Sequence, residues 1–225
     1  MPVRTLVVWC PDWPVVAAGV ALDVPAAVLH ANRVVACSRA ARAEDVVVGL
    51  RRREAQGRCP SLLVLERDLG LEARRFEPVL AAVETLTPRV EVTTPGTCAF
   101  ATRGPSRYFG GDEALAHRVV AVVAEALAGR GEVTVGVADG PFAARLAARG
   151  ADTGSIGPRV VPPGESAAFL APLPVAALER PDLVDVLERL GLRTLGAVAA
   201  LSVADLVARF GLEGQGAHRL AAGLD

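Results

Sequence analysis

The residue types best suited to hold a metal or attack a substrate are scattered in this sequence. The four cysteines, Cys10, Cys37, Cys59 and Cys98, stand far apart with no C-x-x-C, and the three histidines are equally dispersed. Zinc sites are built from closely spaced ligand pairs, so the pattern argues for no metal and for reduced, buried thiols. Every basic residue is Arg, which rules out a Schiff-base or phosphate-loop lysine. No G-x-x-x-x-G-K-[ST], H-E-x-x-H, G-x-S-x-G or strand-linked G-x-G-x-x-G occurs. What is left for chemistry is carboxylate and guanidinium.

Composition narrows the setting. Apolar residues make up 52% of the 225, enough for a sizeable core, and the formal charge is -1. A whole-molecule basic field is absent, so any DNA contact must come from local patches. Arg51, Arg52, Arg53 and Arg58 form one basic run, whose bland reading is a solvated helix face. The chain opens on a short apolar strand and not on a signal peptide, and no apolar run free of charge and Pro reaches the roughly 20 residues of a membrane helix. The expectation is a cytoplasmic protein.

The elements that must position those side chains can be read from periodicity. Residues 5–9 (TLVVW) form a strand that Pro11 ends. Residues 26–30 and 33–38 are strands joined across Ala31-Asn32; an Arg-rich helical stretch (50–58) and a strand (62–65) follow. Leu69, Phe76, Val79, Leu80, Val83 and Leu86 share one face of a helix over 69–86. Residues 90–94 and 97–101 are strands around the turn dipeptide Pro95-Gly96. Asp112 is placed to cap a helix reaching Ala128, followed by a strand (133–138), a helix from Pro141 to Arg149 and a closing strand at Val160-Val161. After Pro162-Pro163-Gly164 come short helices over 183–190, 194–201, 203–210 and 217–222, with Gly191 and Gly211 where C-caps belong. With 14–68 set aside, the order is strand, helix, strand, strand, helix, strand. That is a split βαβ, ferredoxin-like α+β plan with a small insertion after its first strand and a helical domain appended.

Local phrases now carry a resemblance. Residues 8–13 (VWCPDW) resemble an apolar strand ending in D-x-D-x-F, residues 35–42 (VACSRAAR) a motif ending in Y-x-A-R, and residues 90–101 (VEVTTPGTCAFA) an S-x-D-E motif with a later acid. Residues 54–65 (EAQGRCPSLLVL), 135–148 (VGVADGPFAARLAA) and 190–225 fit further phrases in the same order. The chain resembles the Y-family translesion DNA polymerases, and within them the catalytically degenerate ImuB-like branch, over nearly its whole length. The resemblance implies a palm (1–13 and 69–163), inserted fingers (14–68) and a small helix-hairpin-helix-like thumb (164–225). It also implies a little finger that this chain does not contain, and on that ground the sequence reads as a fragment.

In that register the metal-holding acids are missing. Two-metal nucleotidyl transfer needs carboxylate oxygens. The positions where the family carries them hold Trp9, Pro11, Gly96, Thr97 and Ala101. The resemblance therefore implies a polymerase fold without polymerase catalysis, with no cofactor and no metal. Asp12 and Glu91 are the nearby acids; either they are a turn acid and a strand-edge acid, or they build a divergent nucleotidyltransferase site. Trp9 and Trp13 are read as base-stacking platforms or as core, Trp13 lying near the family's steric-gate aromatic. Arg42 matches the family's triphosphate-contacting Arg and Arg39 stands beside it, while Asp152 falls near a phosphate-binding Lys of the family and Arg145 replaces another. Arg193, Thr194, Gly214 and Gly216 are the DNA-binding candidates of the thumb. The implied role is DNA damage tolerance and induced mutagenesis. The implied partners are primed or damaged DNA, a sliding clamp, an error-prone C-family polymerase and a RecA-like accessory protein, contacted through regions beyond residue 225, in a nucleoid-associated setting and with no membrane. A protein-only scaffold is the remaining alternative, motivated by the near-zero charge.

Overall fold

The structure, a computed structural model, describes residues 2–21, 23–150 and 157–225. Strand β1 (Arg4–Trp9) leads through α1 (Trp13–Ala17) to β2 (Ala26–His30), β3 (Arg33–Cys37), α2 (Arg39–Ala43), α3 (Arg52–Arg58) and β4 (Leu63–Glu66). Then come α4 (Leu69–Glu84), β5 (Glu91–Thr94), β6 (Thr97–Ala101), α5 (Arg103–Phe109), α6 (Asp112–Leu127), β7 (Thr134–Asp139), α7 (Pro141–Arg149) and β8 (Arg159–Val160). The remainder is helical: α8 (Ser166–Leu170), a 3-10 turn (Val175–Leu178), α9 (Pro181–Arg189), α10 (Leu195–Ala199) and α11 (Val203–Ala221).

The large sheet has the order β5-β6-β1-β7-β8. Its first four strands follow the expected ferredoxin-like arrangement. Backbone bonds from Thr102 to the Arg4 carbonyl (2.9 Å) and from Cys10 to the Gly96 carbonyl (2.8 Å) make β6 antiparallel to β1. A second sheet, β3-β2-β4, lies wholly within the segment read as an insertion. Its β2–β3 hairpin turns at Ala31 and Asn32, both at positive φ (47° and 62°), the backbone that a two-residue primed turn requires. Leu29, Val34, Ala41, Val46, Ala55 and Leu62 close its core.

By internal contacts the described chain divides into two compact units, one of residues 1–7, 100–117 and 135–225 and one of residues 8–99 and 118–134. In the first, Arg4 anchors a polar cluster: it meets Asp112 at 2.7 Å, Asp139 at 3.2 Å and the Val161 carbonyl at 2.6 Å. Asp112 therefore does not serve as the expected cap. It lies inside the first turn of α6, and its carboxylate is taken by Arg4 and the Ser106 hydroxyl. Ser38 leaves β3 and caps α2 instead, accepting from the Ala41 N–H at 3.1 Å and donating to the Val24 carbonyl at 2.7 Å. Within residues 203–221 two helices meet at a kink at Gly211, whose backbone is non-helical (φ 60°, ψ -144°), so the first ends where the sequence placed its stop. No helix among the described residues is long and apolar enough to cross a membrane.

Candidate functional site

The end of β1, the β5–β6 turn and the starts of α1 and α2 all belong to the second unit, residues 8–99 and 118–134. Pro11 cannot extend β1, and Asp12 takes a left-handed conformation (φ 53°, ψ 27°) to turn the chain into α1. Its carbonyl accepts the N–H of Val15 at 2.8 Å, so α1 starts directly behind the strand. Trp13, the first residue of α1, is 4% exposed. Its indole N–H donates to the Glu72 carbonyl at 3.0 Å, and its ring meets Phe76 edge-on at 5.1 Å. Trp13 is thus core, and no face is left open for a base.

This packing decides what the β5–β6 turn can carry. Gly96 has φ 90°, and a Cβ built on it would lie 2.4 Å from the Trp13 Cβ and 2.7 Å from its Cγ. No side chain fits at position 96 without displacing Trp13. Thr97, the next residue, is buried and pairs with Thr94 across the turn.

The charges near this turn are already spoken for. The Arg42 guanidinium grips both oxygens of Asp12, at 2.8 and 2.6 Å, and donates to the Cys37 carbonyl at 3.1 Å. The hydrogen bond to Asp12 raises the Arg42 pKa further above its ordinary value, against the opposing effect of burial. Arg39 pairs with Glu132, both exposed. Burial pushes the thiols of Cys10 and Cys98 up to about 12, with the neighbouring Cys98 adding to the rise at Cys10, so neither is a ready nucleophile or metal ligand.

Of the other sequence-predicted residues, Trp9 and Pro11 lie at this turn and the rest do not. Trp9 offers its carbonyl to the Thr134 hydroxyl at 3.3 Å, and Pro11 is half-buried. Glu91 is exposed on β5 opposite Ala99, and Ala101 is exposed at the end of β6. No three His, Cys, Asp or Glu among the described residues are grouped closely enough to hold a metal ion. Arg145 pairs with Glu179 in the first unit, and Asp152 lies outside the described residues. In the helical region Thr194 caps α10 by accepting the Ala197 N–H at 3.2 Å, and Arg193 is exposed beside it. Gly214 is a packing glycine, its would-be Cβ 2.6 Å from the Leu206 carbonyl; Gly216 leaves room for the Arg180 guanidinium, 3.3 Å from its would-be Cβ. Sequence reasoning missed the Asp12–Arg42 pair, because nothing in the residue pattern links positions 30 apart.

Comparison with known proteins bears on the family and the fold. A model of the impB/mucB/samB family matches residues 20–149. Protein ImuB of Caulobacter vibrioides, in two strains, is 30% identical over 167 residues, which cover 73% of this chain and 34% of that protein. The chain thus spans about a third of the curated relatives it matches. Among solved structures, the insertion ternary complex of Dbh DNA polymerase superposes with a TM-score of 0.78 at 17% identity, over 99% of this chain and 68% of that one. DinB from Sulfolobus solfataricus gives 0.74 at 18%, over 97% and 66%. At such identities the likeness is one of fold.

Proposed function

Given that the chain belongs to the impB/mucB/samB family, we propose that it is a noncatalytic, Y-family polymerase-like subunit of DNA damage tolerance. In this reading residues 1–13 and 69–163 form the palm, 14–68 the fingers and 164–225 the thumb. The observation that carries it is the sealed seat at position 96. A metal-binding acid is absent there, and the Trp13 side chain occupies the space one would need. Trp9, Pro11, Thr97 and Ala101 stand at the other acid positions of the proposed register. Arg42, the proposed triphosphate ligand, is neutralised by Asp12.

What this fold can still do is bind. Arg193 and Thr194, with the backbone around Gly214 and Gly216, are the proposed contacts to the phosphates of primed or damaged DNA, and Arg39 stands with Arg42 as a proposed nucleotide-phosphate ligand. The sliding clamp, an error-prone C-family polymerase and a RecA-like accessory protein are proposed as partners of the longer protein. Primer extension with magnesium or manganese tests the reading, and the expected result is no template-directed incorporation. Incorporation abolished by Asp12→Ala would instead establish the rival site built on Asp12 and Glu91. Salt-dependent binding to primed DNA is expected alongside, with affinity falling steeply as salt rises. Salt-independent or absent binding would favour the protein-only scaffold.

A further inference from the structure

The first unit keeps an aromatic ring in water. Tyr108 is the most exposed large apolar side chain of the described residues, at 84%, whereas Phe100 and Phe142 in the same unit are buried. It stands on α5, whose outward residues are Arg103, Gly104, Arg107 and Tyr108; Pro105, Ser106 and Phe109 are half-buried. Positions i, i+1, i+4 and i+5 form one continuous face of a helix. No ion pair among the described residues involves either arginine, and α5 contains no acid.

The helix that carries this face is fastened from within. The Thr102 N–H bonds the Arg4 carbonyl at 2.9 Å, and the Ser106 hydroxyl donates to Asp112, which Arg4 grips at 2.7 Å. Phe109 meets the Tyr108 ring edge-on at 4.8 Å and steadies it. A helical side chain leans over the turn N-terminal to its own Cα. For Tyr108 that turn holds Gly104, where a would-be Cβ meets nothing within 4 Å, so the space beside the ring is open.

A steadied ring flanked by unpaired guanidiniums selects its ligand by chemistry. A π face takes any base, and guanidiniums take phosphate oxygens in paired bonds. Arg103 and Arg107 lie about 6 Å apart along the helix axis, close to the step between successive phosphates of a single strand. In a duplex the base faces are already stacked on one another, so the ring matches an unpaired strand. The outward face carries no aliphatic side chain to pack against a protein. We infer that the outward face of α5 is a contact site for single-stranded DNA, with one base on Tyr108 and the flanking phosphates on Arg103 and Arg107. That the strand is DNA rests on the proposed role in damage tolerance; the ring and its two arginines stand without it. Neither position 96 nor the thumb residues 193–216 take part.

The test uses the 225-residue chain. An oligothymidylate carrying one 5-iodouracil is photocrosslinked and mapped by mass spectrometry, and a fluorescein-labelled oligothymidylate is read by anisotropy. A crosslink on Tyr108 is expected. Tyr108→Ala should weaken binding about fivefold or more, and Tyr108→Phe, which keeps the π face, should bind like the parent. An abasic strand of equal length should bind the parent about as weakly as oligothymidylate binds Tyr108→Ala. Arg103→Ala/Arg107→Ala should lower the salt slope by about 1.4, the share of two single-strand phosphate contacts. No saturable binding, equal binding by Tyr108→Ala, equal binding of the abasic strand or an unchanged salt slope would each overturn the assignment. Preference for oligouridylate would overturn its DNA part. Crosslinks confined to residues 193–216 would overturn it while supporting the thumb contacts. Loss of primed-duplex binding with the Tyr108 crosslink kept would do the reverse. All three side chains are exposed, so circular dichroism melts of the variants should match the parent and keep a lost signal interpretable.

Discussion

The two ends of strand β1 are built differently around their carboxylates. At its start, Arg4 is held between Asp112 and Asp139, and Asp139 also accepts the Gly164 N–H at 2.6 Å while its own N–H donates to Ser166 at 2.9 Å. At its finish, Trp9 closes the strand, Pro11 follows it, Arg42 holds Asp12 in the turn, and Gly96 faces the buried Trp13. The chain is not poor in acids, with 25 Asp and Glu against 24 Arg. An acid fastens the fold at each end, and in the proposed register none stands at a metal position.

The sharpest way to break that contrast is to put an acid back. Gly96→Asp must place a Cβ 2.4 Å from Trp13 at a backbone φ of 90°. Overpacking and left-handed strain together should cost roughly 3 kcal/mol or more, measured by urea denaturation. A variant as stable as the parent, or one that gained metal-dependent primer extension, would show that the seat is open after all.

The other end is tested by removing an acid. Asp112→Asn keeps the shape and deletes the charge of a pair whose side chains are only 15% and 18% exposed. Loss of the charged hydrogen bonds should cost about 2 kcal/mol at neutral pH. Burial raises the Asp112 pKa, but the bonds from Ser106 and Arg4 outweigh it and hold the carboxyl below its ordinary value. A lowered native pKa adds stability above the unfolded value of about 4 and loses it as pH falls further. The gap between parent and variant should therefore narrow below about pH 4. A constant gap would mean that Asp112 acts through packing and not through charge.

Much of this was legible in the sequence, for identifiable reasons. The strands and the long helices followed from local periodicity, and the sheet order from the split βαβ plan, which admits few alternatives; the short helices α1, α2, α5 and α8 span too few turns to show a period. Pro95-Gly96 announced its turn. Three things were not legible. Asp112 changed role because a tertiary partner, Arg4, took its carboxylate, and Ser38 because it caps α2 while also donating to Val24. The exclusion of a side chain at position 96 depends on Trp13, brought there by the bond between Cys10 and Gly96. The Asp12–Arg42 pair joins a turn to a helix across a chain reversal, and neither residue's neighbours foretell it.

That pair gives the smallest effect on stability and a clear effect on binding. Arg42 is 46% exposed, so Asp12→Ala forfeits only a partly screened ion pair, roughly 0.5–1 kcal/mol. Part of that loss is offset in Asp12→Gly, since position 12 sits at φ 53°, where glycine carries no Cβ penalty. Both variants free the Arg42 fork, and both should bind inorganic triphosphate more tightly than the parent, by titration calorimetry. Arg39→Ala, which breaks an exposed pair with Glu132, should leave stability nearly unchanged and lower the gained affinity. If Asp12→Ala binds triphosphate no better than the parent, then Asp12 is not what keeps anions off Arg42. The contrast between the two ends of β1 would then rest on the sealed turn at Gly96 alone.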